Sequence, residues 1–225
     1  MNERPALWKW GEELSILSNV LDQGRMLAIP TESSYGLAVD PLRAAAVSTL
    51  YRFKGRPPEK ALPVVLGNLE QLALVGGDPE APDLMELAAL WPAPLTVLVP
   101  IAQAIPASAG RRNLAVRIPA HLRLRELLED LGRPLTATSA NLAGGSPVLD
   151  PRMLNSMLSS WSGTIVNDGS LPGGAASTIV QIGEEGYRVL RVGALSLSWL
   201  QNRVSRPVFS AAAAEIPADD SPHTP

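Results

Sequence analysis

The chain has 225 residues, of which 46% are apolar and 18% charged, so it can bury a core and does not have the composition of a disordered protein. It contains no cysteine and two histidines, which excludes a disulfide framework, a thiolate or multi-histidine metal centre and a thiol nucleophile. The net charge of −3 argues against a protein that holds nucleic acid mainly through bulk positive charge.

The spacing of apolar residues, with glycine and proline stops, predicts alternating helices and strands. In chain order these are a helix over 12–23, a strand over 26–29, a loop over 31–36, a helix over 41–53, a strand over 62–66, helices over 69–74 and 82–90, strands over 95–99 and 114–118, a helix over 121–131, a strand over 135–138, a glycine-rich loop over 139–146, a helix over 151–158, and strands over 164–166, 178–181 and 187–191. This alternation predicts an α/β or α+β domain with a mixed sheet.

The composition changes at residue 206, where alanine, proline, serine and aspartate become frequent. We therefore predict a folded domain over 1–205 and a disordered tail over 206–225. The longest run without a charged residue, 87–110, is interrupted by four prolines, which a lipid-exposed helix does not accommodate. Residues 1–11 lack the apolar stretch of a signal peptide, so we expect a cytoplasmic protein without a membrane segment.

Basic residues are concentrated in two segments of this acidic chain. Residues 52–60 contain four cations and one acid, and residues 111–125 contain five arginines and no acid. Such clusters favour a local anion site, and phosphate is the anion that we expect there. A solvated basic face is the alternative, and it is favoured for Arg123 and Arg125, which lie on the predicted helix.

Arg117 differs from the other arginines because it interrupts an apolar strand. Burying an unpaired guanidinium would be costly. We therefore expect Arg117 to point into a cavity that holds an anion or a carboxylate. His121 could act as a general base, but Pro119 just before it favours a structural role at a helix N-terminus.

Three loops carry polar groups that could bind a ligand, although each is also typical of an ordinary turn. They are the Lys-Gly-Arg-Pro turn at 54–57, the Thr-Ser-Ala-Asn segment at 138–141 and the Ser-Thr pair at 177–178. No cluster of carboxylates indicates a metal held by the protein, so any Mg²⁺ is expected to arrive with substrate phosphates.

Six segments in order give these features a family resemblance. They are 29–37 (Ile-Pro-Thr-Glu-Ser-Ser-Tyr-Gly-Leu), 54–57 (Lys-Gly-Arg-Pro), 91–96 (Trp-Pro-Ala-Pro-Leu-Thr), 115–119 (Ala-Val-Arg-Ile-Pro), 139–141 (Ser-Ala-Asn) and 177–180 (Ser-Thr-Ile-Val). Together they resemble the Sua5/YciO/YrdC family of L-threonylcarbamoyladenylate synthases over about residues 10–195, in its short, single-domain bacterial form.

The resemblance implies an α+β (α/β-like) fold, with a twisted mixed parallel/antiparallel sheet flanked by helices and a basic concave cavity. It also implies a nucleotidyltransferase that converts L-threonine, bicarbonate or CO₂, and ATP into L-threonylcarbamoyladenylate and pyrophosphate. This is the first step of the threonylcarbamoyladenosine modification of tRNA. Mg²⁺ would be bound with ATP, no organic cofactor is expected, and a separate tRNA threonylcarbamoyl-transferase complex would use the product.

The resemblance also assigns residues by position. The catalytic group would be Lys54, Arg56, Ser139 and Asn141. ATP would contact Arg56, Lys60, Asn113, Ser139, Pro147 and Arg191. L-Threonine would be held by Ser33, Arg117, Ser177 and the backbone of Ala137.

Two other functions remain open on sequence grounds. The cationic segments are compatible with a non-catalytic, YciO-type RNA-binding paralogue, for which binding would depend steeply on salt. The same scaffold could also belong to an adenylating enzyme for another substrate. The acidic net charge and the scarcity of lysine favour the synthase over the RNA-binding paralogue.

Overall fold

The computed structural model of the chain describes residues 6–141, 145–157 and 163–210. The strands in these ranges are β1 (Ala6–Lys9), β2 (Leu27–Pro30), β3 (Tyr35–Ala38), β4 (Val64–Val65), β5 (Leu95–Pro100), β6 (Asn113–Arg117), β7 (Leu135–Thr136), β8 (Thr138–Ser139), β9 (Thr164–Asn167), β10 (Thr178–Ile182), β11 (Tyr187–Arg191) and β12 (Val208–Ser210). The α-helices are α1 (Leu14–Asp22), α2 (Ala44–Lys54), α3 (Pro82–Ala88), α4 (Leu122–Asp130), α5 (Pro151–Met157) and α6 (Leu197–Gln201).

Most predicted elements are present, with ends shifted by a few residues. The segment predicted as a helix over 69–74 is a 3₁₀ helix, Glu70–Val75. The predicted loop over 31–36 is shorter than expected, because β3 already begins at Tyr35. The predicted elements did not include β3, nor β1, α6 and β12, which are short elements near the two ends of the described chain. Position 158, the last residue of the predicted helix over 151–158, lies outside the described residues.

The strands form two mixed sheets rather than one. The first has the order β1-β9-β2-β3-β8 and the second the order β12-β11-β10-β5-β6-β4-β7. Parallel pairs such as β5 with β10 and antiparallel pairs such as β5 with β6 occur in the same sheet. The expectation of a mixed α+β architecture flanked by helices is thus confirmed, with its strands divided between two sheets.

Strand β2 is buried over its whole length because both faces of its sheet are covered. Leu27 and Ile29 pack into a cluster with residues of α1 and α4, whereas Ala28 packs into the larger cluster on the other face. Alternate residues of a strand point to opposite faces, so an uninterrupted apolar run is what such a strand requires. The end of β2 is therefore held rigidly where the chain leaves it at Thr31.

The boundary predicted at residue 206 is wrong for its first residues. Arg206 donates hydrogen bonds to the carbonyls of Gly183 (2.6 Å) and Glu184 (2.9 Å) and forms an ion pair with Asp83 at 3.0 Å. After it, β12 pairs in parallel with β11. A three-residue edge strand needs little apolar periodicity. The composition of this segment therefore did not predict β12. Residues 211–225, the rest of the predicted tail, lie outside the described residues.

None of the helices in the described ranges has the length and apolar character needed to cross a membrane.

Candidate active site

A cavity of about 420 Å³ lies between the ends of strands from both sheets. The charged side chains in its lining are Glu32, Arg56, Arg117 and Arg191. Hydroxyl groups, backbone and small side chains complete the wall, contributed by Thr31, Ser33, Ser34, Thr96, Ala137, Thr138, Ser139, Pro147, Gly174, Ala176 and Ser177, among others. Three guanidinium groups against one carboxylate make this a cavity suited to anionic ligands.

The β2–β3 hairpin supplies one wall through its four-residue loop, 31–34. Thr31 Oγ1 donates a hydrogen bond to the carbonyl of Ser34 (2.7 Å) and accepts hydrogen bonds from the backbone N–H groups of Ser33 (3.4 Å) and Ser34 (3.3 Å). A threonine at this position thus fixes the turn with its own side chain. The loop is held in the shape that brings Glu32 and Ser33 to the cavity.

Arg117 lies in the lining at the end of β6, on the same face as Ala115. Its Nη1 donates to Oε1 of Glu32, and both side chains are largely buried, with exposed fractions of 12% and 19%. The apolar strand around Arg117 predicted a carboxylate or another anion near its guanidinium group, but not which one. Glu32 is that carboxylate within the protein.

The second wall joins the end of α2 to strand β8. Helix α2 ends at Lys54, and Gly55 follows in the left-handed conformation (φ 58°), which turns the chain so that Arg56 also reaches the cavity. Lys54 Nζ donates to the backbone carbonyl of Ser139 (2.5 Å) and to Oδ1 of Asn141 (3.2 Å). The hydroxyl of Ser139 donates to the same Asn141 oxygen at 2.6 Å.

Lys54 is an unusual lysine because it is buried, with 8% of its surface exposed. Burial, and to a smaller extent the neighbouring charge of Arg56, lowers the pKa of Lys54 to about 8. Arg56 is held in turn by the backbone, since its Nε donates to the carbonyl of Lys60 (3.1 Å) and its Nη2 to that of Ala61 (2.8 Å). The pair can therefore present one permanent and one titratable cation.

The third wall carries Arg191 and Ser177. Arg191 Nη2 donates to the carbonyl of Ser177 at 2.8 Å and to its hydroxyl at 3.3 Å, and that hydroxyl lies 2.8 Å from Oγ1 of Thr96. Burial, and to a smaller extent the charge of Arg117, lowers the pKa of Arg191. Both guanidinium groups line the same cavity. Two such cations on one cavity favour a ligand with more than one negative charge.

The structure brings most of the predicted site residues together. In the cavity lining are Ser33, Arg56, Arg117, Ala137, Ser139, Pro147, Ser177 and Arg191. Lys54 and Asn141 stand directly behind it, hydrogen bonded to Ser139.

Two predicted ATP contacts are not brought into this cavity. The side chain of Lys60 is exposed, and only its backbone carbonyl is engaged, by Arg56 and by the hydroxyl of Tyr51. Asn113 begins β6, at the end opposite Arg117, and lines a second cavity of about 440 Å³ with Asp83 and Gln181. Asn113 and Arg117 are four positions apart in an extended strand, or about 13 Å, which explains why they line different cavities.

Sequence analysis missed Glu32 and Thr96. Glu32 stands in the first of the six family segments, but only Ser33 of that loop was assigned a role. Glu32 could have been predicted from the need for a carboxylate near Arg117. Thr96 was not predicted as a site residue because it lies within the apolar strand β5. Threonine is common in strands, so its presence there does not by itself indicate a binding site.

His121 has the structural role favoured from the sequence. It caps α4 by accepting a hydrogen bond from the backbone N–H of Leu124 at Nδ1 (3.1 Å), and its Nε2 lies 2.9 Å from Oδ2 of Asp168. It is not among the residues that line the cavity. Over the described ranges, no group of three or more His, Asp or Glu side chains is placed to hold a metal ion.

Residues 19–193 match the model of the Sua5/YciO/YrdC family, described as telomere recombination. The chain belongs to this family. The match spans all six segments in full and contains every cavity residue named above.

Relatives within the Sua5/YciO/YrdC family are named threonylcarbamoyl-AMP synthase. The protein of Pyrococcus abyssi (strain GE5 / Orsay) is 30% identical over 208 residues, which cover 89% of this chain and 59% of the relative. The protein of Alkalilimnicola ehrlichii (strain ATCC BAA-1101 / DSM 17681 / MLHE-1) is 35% identical over 170 residues, covering 74% of this chain and 88% of the relative.

The fold is similar to that of the P. abyssi Sua5 crystal structure complexed with L-threonine. The TM-score is 0.79 at 28% identity, over 92% of this chain and 62% of that one. The chain thus spans about three fifths of the length of the P. abyssi protein.

Proposed function

We propose that the chain is a threonylcarbamoyl-AMP synthase, a nucleotidyltransferase that makes L-threonylcarbamoyladenylate and pyrophosphate from L-threonine, CO₂ or bicarbonate, and ATP. The observation that carries the proposal is the convergence of Arg56, Arg117 and Arg191 on one cavity, in a fold similar to a relative complexed with L-threonine. Three cations suit a reaction that must gather the phosphates of ATP, the carboxylate of an amino acid and a carbamate.

The amino acid would lie on the Arg117 side of the cavity. The guanidinium of Arg117 would bind its carboxylate, using donors that Glu32 leaves free, and the hydroxyl groups of Ser33 and Ser177 would bind its polar groups. The backbone of Ala137 would close this side. The amine then adds to CO₂, forming the N–C bond of a carbamate and releasing a proton.

ATP would lie on the Arg56 side, beside Ser139, Pro147 and Arg191. A carbamate oxygen attacks the α-phosphorus, and the bond between that phosphorus and the bridging oxygen breaks as pyrophosphate leaves. Lys54, Arg56 and Arg191 would offset the negative charge that develops on the departing pyrophosphate. Mg²⁺ would be bound with the ATP phosphates. The protein's contribution is to hold the carbamate and the α-phosphate in line.

We also propose that the product passes to a separate threonylcarbamoyl-transferase complex that acts on tRNA, and that the chain works in the cytoplasm. Direct contact with RNA would be recognised by affinity that falls steeply as salt rises. Affinity that is unchanged between low and high salt would count against it.

The test of the proposed reaction is pyrophosphate release from ATP with L-threonine, Mg²⁺ and bicarbonate. We expect release that stops when L-threonine is omitted and falls at least about 100-fold in Arg56→Ala, because a charged hydrogen-bond donor to the reacting phosphates is removed. Arg52→Ala, which removes an exposed arginine that does not line the cavity, is the matched control. Release that does not depend on L-threonine would contradict the proposal.

A further inference from the structure

Glu32 has one carboxylate oxygen without a hydrogen-bond donor. Oε1 accepts from Arg117, whereas Oε2 is buried and has no partner among the described residues. A buried carboxylate oxygen without a donor is unfavourable, and such atoms are rare in folded proteins. Glu32 lines the cavity, so a rotation of its carboxylate would bring Oε2 into contact with a donor carried by a bound ligand.

The neighbouring groups restrict what this donor can be. Among the cations that line the cavity, Arg117 lies next to Glu32, and its Nη1 already donates a hydrogen bond to Oε1. The nearby hydroxyl of Thr31 is committed to the carbonyl of Ser34, where it closes the hairpin turn. Nothing in this loop is thus placed to supply Oε2, so the donor comes from outside the loop.

Arg117 and Glu32 together form an adjacent pair of opposite charges on one wall. An α-amino acid carries the complementary pair, a carboxylate and an ammonium group on the same carbon atom. If the carboxylate binds the free donors of Arg117, the ammonium group is brought within reach of the carboxylate beside that arginine. A hydroxy acid would place no positive charge there.

We propose that Glu32 binds the α-ammonium group of the amino acid substrate through Oε2 while Oε1 keeps Arg117 oriented. This inference rests on the proposed function, because it deepens the recognition of the amino acid at the same site. It makes Glu32 the residue that distinguishes an α-amino acid from the corresponding hydroxy acid. Arg117 alone would select any carboxylate.

The test compares two ligands that differ only at the amine. Calorimetric titration measures the affinity of L-threonine and of (2S,3R)-2,3-dihydroxybutanoate, its hydroxy analogue, for the wild-type protein and Glu32→Gln. We expect Glu32→Gln to weaken L-threonine binding by about 10- to 100-fold, the effect of losing a charged hydrogen bond. Binding of the dihydroxy acid should be unchanged or stronger, because a negative charge near its carboxylate is removed.

Two further variants make the result specific. Glu32→Asp keeps the charge on a shorter side chain and should recover part of the L-threonine affinity. Glu80→Gln makes the same substitution at an exposed position that does not line the cavity, and should change neither affinity. Thermal unfolding of each variant checks that it is folded.

The opposite pattern would overturn the inference. If Glu32 only occupies Arg117 until a ligand carboxylate displaces it, Glu32→Gln will strengthen binding of both ligands to a similar extent. Wild-type protein that does not bind L-threonine would overturn the inference as well. Wild-type protein that binds L-threonine but releases no pyrophosphate would overturn the proposed reaction, and the variants would still decide the role of Glu32.

Discussion

Lys54 Nζ lies 3.2 Å from Oδ1 of Asn141, although the two residues are 87 positions apart in the chain. The contact joins the end of α2 to the segment that follows β8, and the same Asn141 oxygen accepts from the hydroxyl of Ser139. The oxygen thus links two predicted catalytic residues to a third. This contact helps to hold the buried ammonium group of Lys54 directly behind the cavity lining.

Because the pKa of Lys54 is lowered to about 8, the proposed reaction should depend on pH in this range. Lys54 is a cation below this value and loses its proton as the pH rises through it. We expect kcat/KM for ATP to fall about tenfold between pH 7 and pH 9, with a midpoint near 8. Lys54→Arg keeps a permanent charge, so its profile should lack this midpoint even if its activity is lower.

The same shift makes an opposite prediction for stability. In the unfolded chain Lys54 has an ordinary pKa, so between about pH 8 and pH 10 the unfolded state binds more protons than the native state. The free energy of unfolding of the wild-type protein should therefore rise over this range relative to Lys54→Met, by up to about 3 kcal/mol. Denaturant titrations at several pH values measure the difference, and a constant difference would contradict the lowered pKa.

Gly193 should be required for the position of Arg191. A Cβ atom at Gly193 would lie 2.1 Å from the carbonyl oxygen of Ala176 and 2.6 Å from that of Ser177, which accepts the hydrogen bonds of Arg191. Gly193→Ala must displace this backbone, so we expect a loss of about 1–3 kcal/mol in stability together with weaker ATP binding.

A second glycine provides the matched control for this prediction. A Cβ atom at Gly67 would lie 2.9 Å from the carbonyl oxygen of Arg125, but Gly67 does not line the cavity. Gly67→Ala should destabilise the fold and leave ATP affinity unchanged. Equal losses of affinity in the two variants would show that Gly193 acts only through general stability.

His121→Ala should reduce stability without a comparable loss of turnover. The substitution removes the N-cap of α4 and the contact with Asp168. We therefore expect the free energy of unfolding to fall by about 1–2 kcal/mol. His121→Asn, which keeps a capping acceptor, should recover part of it. A fall in kcat of about 100-fold or more at a temperature where both variants are folded would instead indicate a general base.

Short motifs made much of the site predictable from the sequence. Lys54 is the last residue of α2, Arg56 comes directly after Gly55, and Ser139 is the last residue of β8, so local pattern places each at or near the end of an element. Arg117 was predictable for a different reason, since a guanidinium in an apolar strand needs an anionic partner.

The rest depended on contacts that no local pattern encodes. Glu32 is identified as the partner of Arg117 only when β2 and β6 are placed in space, because 85 residues separate the two side chains. Asn113 shares a strand with Arg117, yet the extended backbone carries it to another cavity. Arg206 and β12 were assigned to a tail because their stabilising partners, Asp83 and β11, lie far away in the sequence.

The identity of the product is the most direct test of the proposed reaction. The wild-type protein is incubated with L-threonine, ATP, Mg²⁺ and carbon-13-labelled bicarbonate, and the nucleotide products are analysed by mass spectrometry. We expect an adenylate that contains threonine and one labelled carbon, formed together with pyrophosphate. An adenylate that carries threonine without the labelled carbon, or no threonine-containing adenylate at all, would contradict it.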